Sequence, residues 1–171
     1  MSTAQKLNLT FIGGGKIAQA MIQGLMKQET KSKLVIRAID PNEKRTSELR
    51  AKGHIAEAQF TEDMANETDV LILAVKPQQS GEVLRTLTKN PLKKSAFILS
   101  VVAGLPLRKI ADAHPGTHSV IRAMPNTPAT IGKGITVWIG SPETSTSHFE
   151  TTQFILRASK SLTKKVMTLR Y

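Results

Sequence analysis

Residues 13–18 read Gly-Gly-Gly-Lys-Ile-Ala and sit between two different periodicities. Before them, "LNLTFIG" is an apolar, β-branched run closed by glycine, which predicts a strand. After them, "GKIAQAMIQGLMKQ" places Ile17, Ala20, Met21, Ile22, Leu25 and Met26 near a 3.6-residue period, which predicts a helix. A strand that turns through glycines straight into a helix constrains the fold strongly. It is the opening of a βαβ unit, and the G-x-G-x-x-A spacing is one form of the dinucleotide fingerprint. Gly13 permits the tight turn. Gly15 lets a pyrophosphate approach the backbone, and Ala18 lets helix and strand pack closely. The helix start would present free N–H groups and a positive dipole end to the phosphates.

The alternation continues down the chain. "KLVIRAID" reads as a strand. "PNEKRTSELRAKG" carries helix start and stop signals, with Pro and Asn first and Gly53 last. "TEDMANETD" predicts a short helix opened by Thr61. "DVLILAVKP" and "SAFILSVVAG" are nearly continuous apolar strands, as expected where both faces are covered. Helices are predicted in "QQSGEVLRTLTKN" and "PLRKIADAH", and strands in "HSVIRAM" and "GITVWIG". "SPETSTSHFETTQFILRAS" begins polar and becomes helical. The expected fold is α/β, a Rossmann-type doubly wound, mostly parallel sheet with helices on both faces.

The formal net charge is +11. Five of the 24 basic residues lie in 151–171, which has no acid, so the rest of the chain carries 19 against 13. That remainder is dispersed and has no aromatic interleaving, which argues against a nucleic-acid partner. There is no cysteine, and His54, His114, His118 and His148 fall into no ligand spacing, so no metal site is read. The first residues lack a signal-peptide layout and no apolar run reaches a membrane span, so neither a membrane nor an exported setting is expected. The expected location is the cytoplasm.

Ligands bind beyond the carboxyl ends of strands in such sheets. Asp40 ends the second of these strands, where an acid would bond a ribose hydroxyl; a plain turn residue before Pro41 is the alternative. Lys44 and Arg45 just beyond would instead clamp a 2′-phosphate, so NADPH against NADH stays open. Lys76, in Ala74-Val75-Lys76-Pro77, and Ala103-Gly104 fall on the same edge. So does "VIRAMPNTPATIGKG", where Pro125 and Pro128 fix φ around Asn126 and Thr127. A rigid wall suits a reaction that needs a short, defined transfer distance.

Together "FIGGGKIAQAMIQGL", "AVKP", "SVVAGLPL" and "VIRAMPNTPATIGKG" resemble the pyrroline-5-carboxylate reductase family over roughly residues 8–155. The resemblance implies a cofactor-pyrophosphate role for Ile12, Gly13, Gly14, Gly15, Lys16 and Ile17. It implies ribose or 2′-phosphate recognition at Asp40 and adenosine-side contact at Thr61, where relatives often have Asn. Nicotinamide-side contacts fall to Ala74, Val75, Lys76, Pro77 and Ala103, and a substrate-side wall to Met124 and Asn126. The implied activity is reduction of Δ1-pyrroline-5-carboxylate, a small-molecule substrate, to L-proline with NADPH, or NADH, the last step of proline synthesis. A protonated cyclic imine is already an electrophile, so neither a metal nor a covalent nucleophile is required. No catalytic residue is assigned.

Family members continue into a helical domain that supplies substrate contacts and the homo-oligomer interface. Residues 1–158 are therefore expected to form the NAD(P)-binding domain, and 159–171 a divergent basic tail or frayed helix. Permitted codons for Ser161–Thr168 read in another frame give Ile-Asp-Glu-Glu-Ser-Asp-Asp, so a frameshifted, truncated reductase is one expectation and a fragment another. The final helix would then expose Phe149, Phe154, Ile155 and Leu156. A non-catalytic nucleotide-binding remnant, or another reductase of this fold such as a hydroxyacid dehydrogenase, are the competing functions.

Overall fold

In the computed structural model, residues 6–28, 33–114, 119–125 and 135–158 are described, together with the backbone of 165–170. The strands are β1 (Lys6–Ile12), β2 (Lys33–Ile39), β3 (Ile55–Glu57), β4 (Val70–Leu73), β5 (Phe97–Ser100), β6 (Val120–Pro125), β7 (Ile135–Gly140) and β8 (Lys165–Arg170). The helices are α1 (Lys16–Met26), α2 (Glu43–Ala51), α3 (Glu62–Glu67), α4 (Ser80–Lys89), α5 (Leu107–Asp112) and α6 (Thr146–Ala158).

One eight-stranded sheet runs in the order β3-β2-β1-β4-β5-β6-β7-β8. All neighbours are parallel except β6 and β7. The expected doubly wound, mostly parallel sheet is what forms. The direction of winding reverses between β1 and β4, which opens a crevice at their carboxyl ends. Strands β4 and β5 are buried at every position, as their unbroken apolar sequences require.

Two cores flank the sheet. One packs α1, α2 and α6 on Leu9, Phe11, Ile72, Leu99 and Trp138. The other packs α3, α4 and α5 on Leu71, Leu73, Ile98 and Val120. Helix α1 buries Ala18, Met21, Ile22 and Leu25, a stripe spaced i, i+3, i+4, i+7. Each of the larger side chains contributes about 1.5–3 kcal/mol of burial. Ile17 and Met26, expected on that stripe, are exposed at 41% and 58%. They lie roughly 100° per residue off the buried line, and Ile17 turns toward the crevice instead.

Two further differences from expectation concern the end of the chain. Helix α6 does not present a bare apolar face. It packs on α1, with Ile155 and Leu156 buried and Phe149 and Phe154 partly buried against the same core. The ring of Phe149 lies 5.0 Å from that of Trp138. Beyond it, residues 165–170 pair in parallel with β7 as β8, where a frayed helix was the simplest expectation. "KVMTLR" carries Val, Met, Thr and Leu in a row, and the open edge of β7 offers it partners.

Candidate functional site

Three chain segments build the crevice floor. The first is the β1–α1 turn. Gly13 has φ of +104°, a conformation that L side chains rarely adopt. Its N–H donates to the Ile39 carbonyl at 2.7 Å, tying the turn to β2. A Cβ on Gly13 would lie 2.6 Å from the Ala74 carbonyl oxygen, so the turn also touches the end of β4.

Gly15 is different. Its backbone is ordinary extended (φ −72°, ψ −177°), and a Cβ there would meet nothing within 4 Å. No intramolecular contact demands glycine at this position. Gly15 is also the N-cap of α1, and no side chain caps the helix. By contrast, α2 and α3 are capped by Asn42 and Thr61. The first turn of α1 holds no acid and begins with exposed Lys16. A helix start normally attracts negative charge, so a cation there is unfavourable unless an anion joins it. The arrangement fits an anion held by the α1 N–H groups with Lys16 beside it.

The second segment is the end of β2. Asp40 is 4% exposed and receives three donors. The Gly14 N–H donates to Oδ2 at 2.8 Å, the Asn42 N–H to Oδ1 at 2.9 Å, and Arg45 Nη1 to Oδ2 at 3.1 Å. Burial pushes this carboxyl upward, but the N–H groups of Gly14 and Asn42 and the Arg45 guanidinium outweigh it, and its pKa lies below the usual carboxylate range. Asp40 is thus an ionised brace between the glycine turn and α2. Arg45, on the first turn of α2, lines the crevice with its side chain 40% exposed.

The third segment joins the ends of β4 and β5. Ala74, Val75, Lys76 and Pro77 line the crevice beside Val101 and Ala103. The Lys76 N–H donates to Gln79 Oε1 at 3.4 Å and Pro77 starts a 3₁₀ turn, which together set the course of this wall. The whole crevice holds about 910 Å³, large enough for an extended dinucleotide.

The structure therefore gathers Ile12, Gly13, Gly15, Lys16, Ile17, Asp40, Ala74, Val75, Lys76, Pro77 and Ala103 around one space. Gly14 stands behind it, packed against Leu49 and Asp40. Thr61 is not on the lining. Its Oγ1 accepts the Met64 N–H at 3.4 Å as the α3 cap. Met124 is 40% exposed on β6, beyond the crevice. Asn126 lies outside the described residues. Sequence reasoning missed Gln59 and Phe60, which line the far end next to β3. Three-residue β3 gave no periodicity by which to place them.

A family model described as "NADP oxidoreductase coenzyme F420-dependent" matches residues 8–104, more than half of the chain. The chain belongs to this family. Within it, the chain is similar to pyrroline-5-carboxylate reductases, as its motifs indicated. It is 33% identical over 150 residues to the pyrroline-5-carboxylate reductase of Haemophilus influenzae, covering 88% of this chain and 54% of that protein. Among solved structures, a pyrroline-5-carboxylate reductase from Coxiella burnetii matches with a TM-score of 0.76 at 22% identity, covering 95% of this chain and 58% of the other. The Plasmodium falciparum pyrroline carboxylate reductase, solved with NADP bound, matches with a TM-score of 0.71 at 19% identity, covering 96% and 57%. The structural matches share the fold of this chain. The chain spans about half the length of the curated relatives it matches. Among the described residues no helix is long and apolar enough to cross a membrane.

Proposed function

We propose that residues 1–158 form the cofactor-binding domain of a pyrroline-5-carboxylate reductase, that the cofactor is NADPH with NADH as a lesser alternative, and that the protein reduces Δ1-pyrroline-5-carboxylate to L-proline. The observation that carries this reading is the start of α1. An uncapped, acid-free helix start with a lysine, behind a glycine whose missing Cβ no protein atom requires, fits a pyrophosphate. Similarity to named reductases supplies the substrate. A cytoplasmic setting accompanies the reading, and subunit pairing is assigned to segments outside residues 1–158.

The carboxylate of Asp40 already holds three donors, one of them Arg45. Its charge is matched, so it repels a 2′-phosphate less than a free aspartate would. Arg45 stands on the lining with donor atoms to spare. This favours NADPH.

When bound, the cofactor supplies the hydride. Ala74, Val75 and Ala103 offer a small-residue wall on which a flat ring lies close to the strand ends and water is excluded. Turnover by the described residues alone is expected to be slow. They line the crevice proposed for the cofactor but offer little on the substrate side, and a misplacement of 1 Å can cost about 10²-fold. The test titrates NADPH into residues 1–171, then adds pyrroline-5-carboxylate and reads NADPH absorbance and L-proline together. NADPH binding with slow, stoichiometric proline formation supports the proposal. A chain that fails to bind NADPH contradicts the cofactor half. NADPH consumed with a 2-keto acid but not with the imine contradicts the substrate half.

A further inference from the structure

The glycine turn is held from two sides. On one side is β2, where the Gly13 N–H donates to the Ile39 carbonyl and the Gly14 N–H to Asp40. On the other is Gln19 of α1. Its main-chain N–H donates to the Gly15 carbonyl at 2.9 Å, the first bond of the helix. Its side-chain Nε2 donates to the Gly14 carbonyl at 3.0 Å. One residue thus grips two consecutive carbonyls of the turn. Lys52, the C-cap of α2, donates from Nζ to Gln19 Oε1 at 3.5 Å, which leaves the Nε2 end of the amide for Gly14.

The helix itself does not require the side-chain bond, and Gln19 is half-buried beside water that its amide could have used. The consequence of the bond lies in the peptide plane. In a trans peptide the C=O and the following N–H point in opposite directions. Gln19 draws the Gly14 carbonyl toward α1, so the Gly15 N–H is turned the other way. Gly15 lines the crevice, whereas Gly14 and Gln19 do not. Among the described residues no acceptor takes the Gly15 N–H. Asp40 fixes the preceding peptide and leaves this one free to turn. A peptide with glycine on both sides flips at little steric cost, because neither neighbour carries a Cβ.

We propose that Gln19 is a positioning residue for the cofactor pyrophosphate: its side chain locks the Gly14–Gly15 peptide so that the Gly15 N–H faces the crevice. Gln19 touches no ligand and acts through the backbone. The lock prepays the ordering of a donor at the start of α1, which strengthens binding without adding a contact. The proposal rests on the reading of the crevice as an NADPH site.

The test compares wild type with Gln19→Met in residues 1–171. Methionine keeps the length and the helix propensity of glutamine and removes the donor. Gln19→Ala, a stronger helix former, serves as the second variant. Calorimetry measures NADPH, inorganic pyrophosphate, and adenosine 2′-monophosphate as the probe without a pyrophosphate. Both variants are expected to weaken NADPH about tenfold, the scale of one hydrogen bond to a charged group, and to leave adenosine 2′-monophosphate unchanged. The Gly15 amide ¹H–¹⁵N signal is expected to be sharp in ligand-free wild type and to move on adding NADPH or pyrophosphate. In Gln19→Met it is expected to be shifted or broadened before any ligand arrives, which loss of helix stability alone would not produce. NADPH affinity equal to wild type in both variants would overturn the proposal and leave the cofactor reading standing. So would losses as large for adenosine 2′-monophosphate as for NADPH, or a Gly15 signal that Gln19→Met does not alter. A wild type that binds pyrophosphate in a Gln19-dependent way but not NADPH would contradict the cofactor reading and support the lock.

Discussion

The backbone N–H of Gly14 donates to Oδ2 of Asp40 across 2.8 Å, and the same oxygen accepts Arg45. The end of β2 thereby holds the glycine turn in place before any ligand arrives. Asp40 is a brace between the glycine turn and α2. Asp40→Ser should cost about 1–3 kcal/mol of stability, because Gly14 and Arg45 lose an ionised acceptor. It should also free Arg45 and raise the ratio of NADPH to NADH affinity. Urea unfolding reads the first effect and paired titrations the second. A ratio that does not move would confine Asp40 to the brace.

Arg45→Ala separates the two cofactors from the other side. It removes the cation on the crevice lining and leaves Asp40 unmatched. NADPH affinity should fall about tenfold, the scale of one charge-assisted hydrogen bond, while NADH changes little. Equal losses for both cofactors would place Arg45 in the scaffold alone.

The glycine turn and the glycine cap should respond differently to a methyl group. At Gly13 the added Cβ faces a carbonyl oxygen at 2.6 Å and a positive φ. Gly13→Ala should destabilise the fold by about 2–4 kcal/mol, from strained backbone and overpacking together. A shift in the urea midpoint measures it. An unchanged midpoint would mean the turn can relax away from Ala74.

His148 gives the fold a pH dependence far from the crevice. Its ring stacks on Phe97 at 4.7 Å, and Nδ1 lies 2.8 Å from the Ser119 hydroxyl. Burial lowers its pKa below 6.5, more than a contact with the Ser95 backbone raises it. The folded state thus holds fewer protons than the unfolded one between the folded value and 6.5. Stability from this site is complete above 6.5, falls as pH drops through that window, and levels off below it. The melting temperature of wild type should therefore fall more steeply below pH 6.5 than that of His148→Gln. Parallel curves would show that the ring ionises freely in place.

Much of this architecture was legible because its signals are local. The glycine turn, the unbroken apolar runs of β4 and β5 and the Thr61 cap each state their own conformation. What escaped depended on distant partners. The burial of Ile155 and Leu156 follows from α1 lying beside α6, and no pattern within α6 contains that fact. Strand β3 has three residues and exists because β2 offers it an edge. At the site, the fingerprint marks the uncapped start of α1, and the three protein donors on Asp40 come from Gly14, Asn42 and Arg45, partners that no local pattern names. Thr61 likewise shows a capping role, and the segment holding Asn126 lies outside the described residues.

The most direct test of the central claim compares NADPH binding by wild type and Gly15→Val in residues 1–171. Backbone at Gly15 is allowed for valine and its Cβ would meet no protein atom, so folding should be unaffected. The side chain would occupy the space at the α1 start assigned to the pyrophosphate. Calorimetry should give binding for wild type and at least about a hundredfold loss for the variant, through obstructed helix N–H contacts, with equal melting temperatures. Equal affinity in the two proteins would contradict the account.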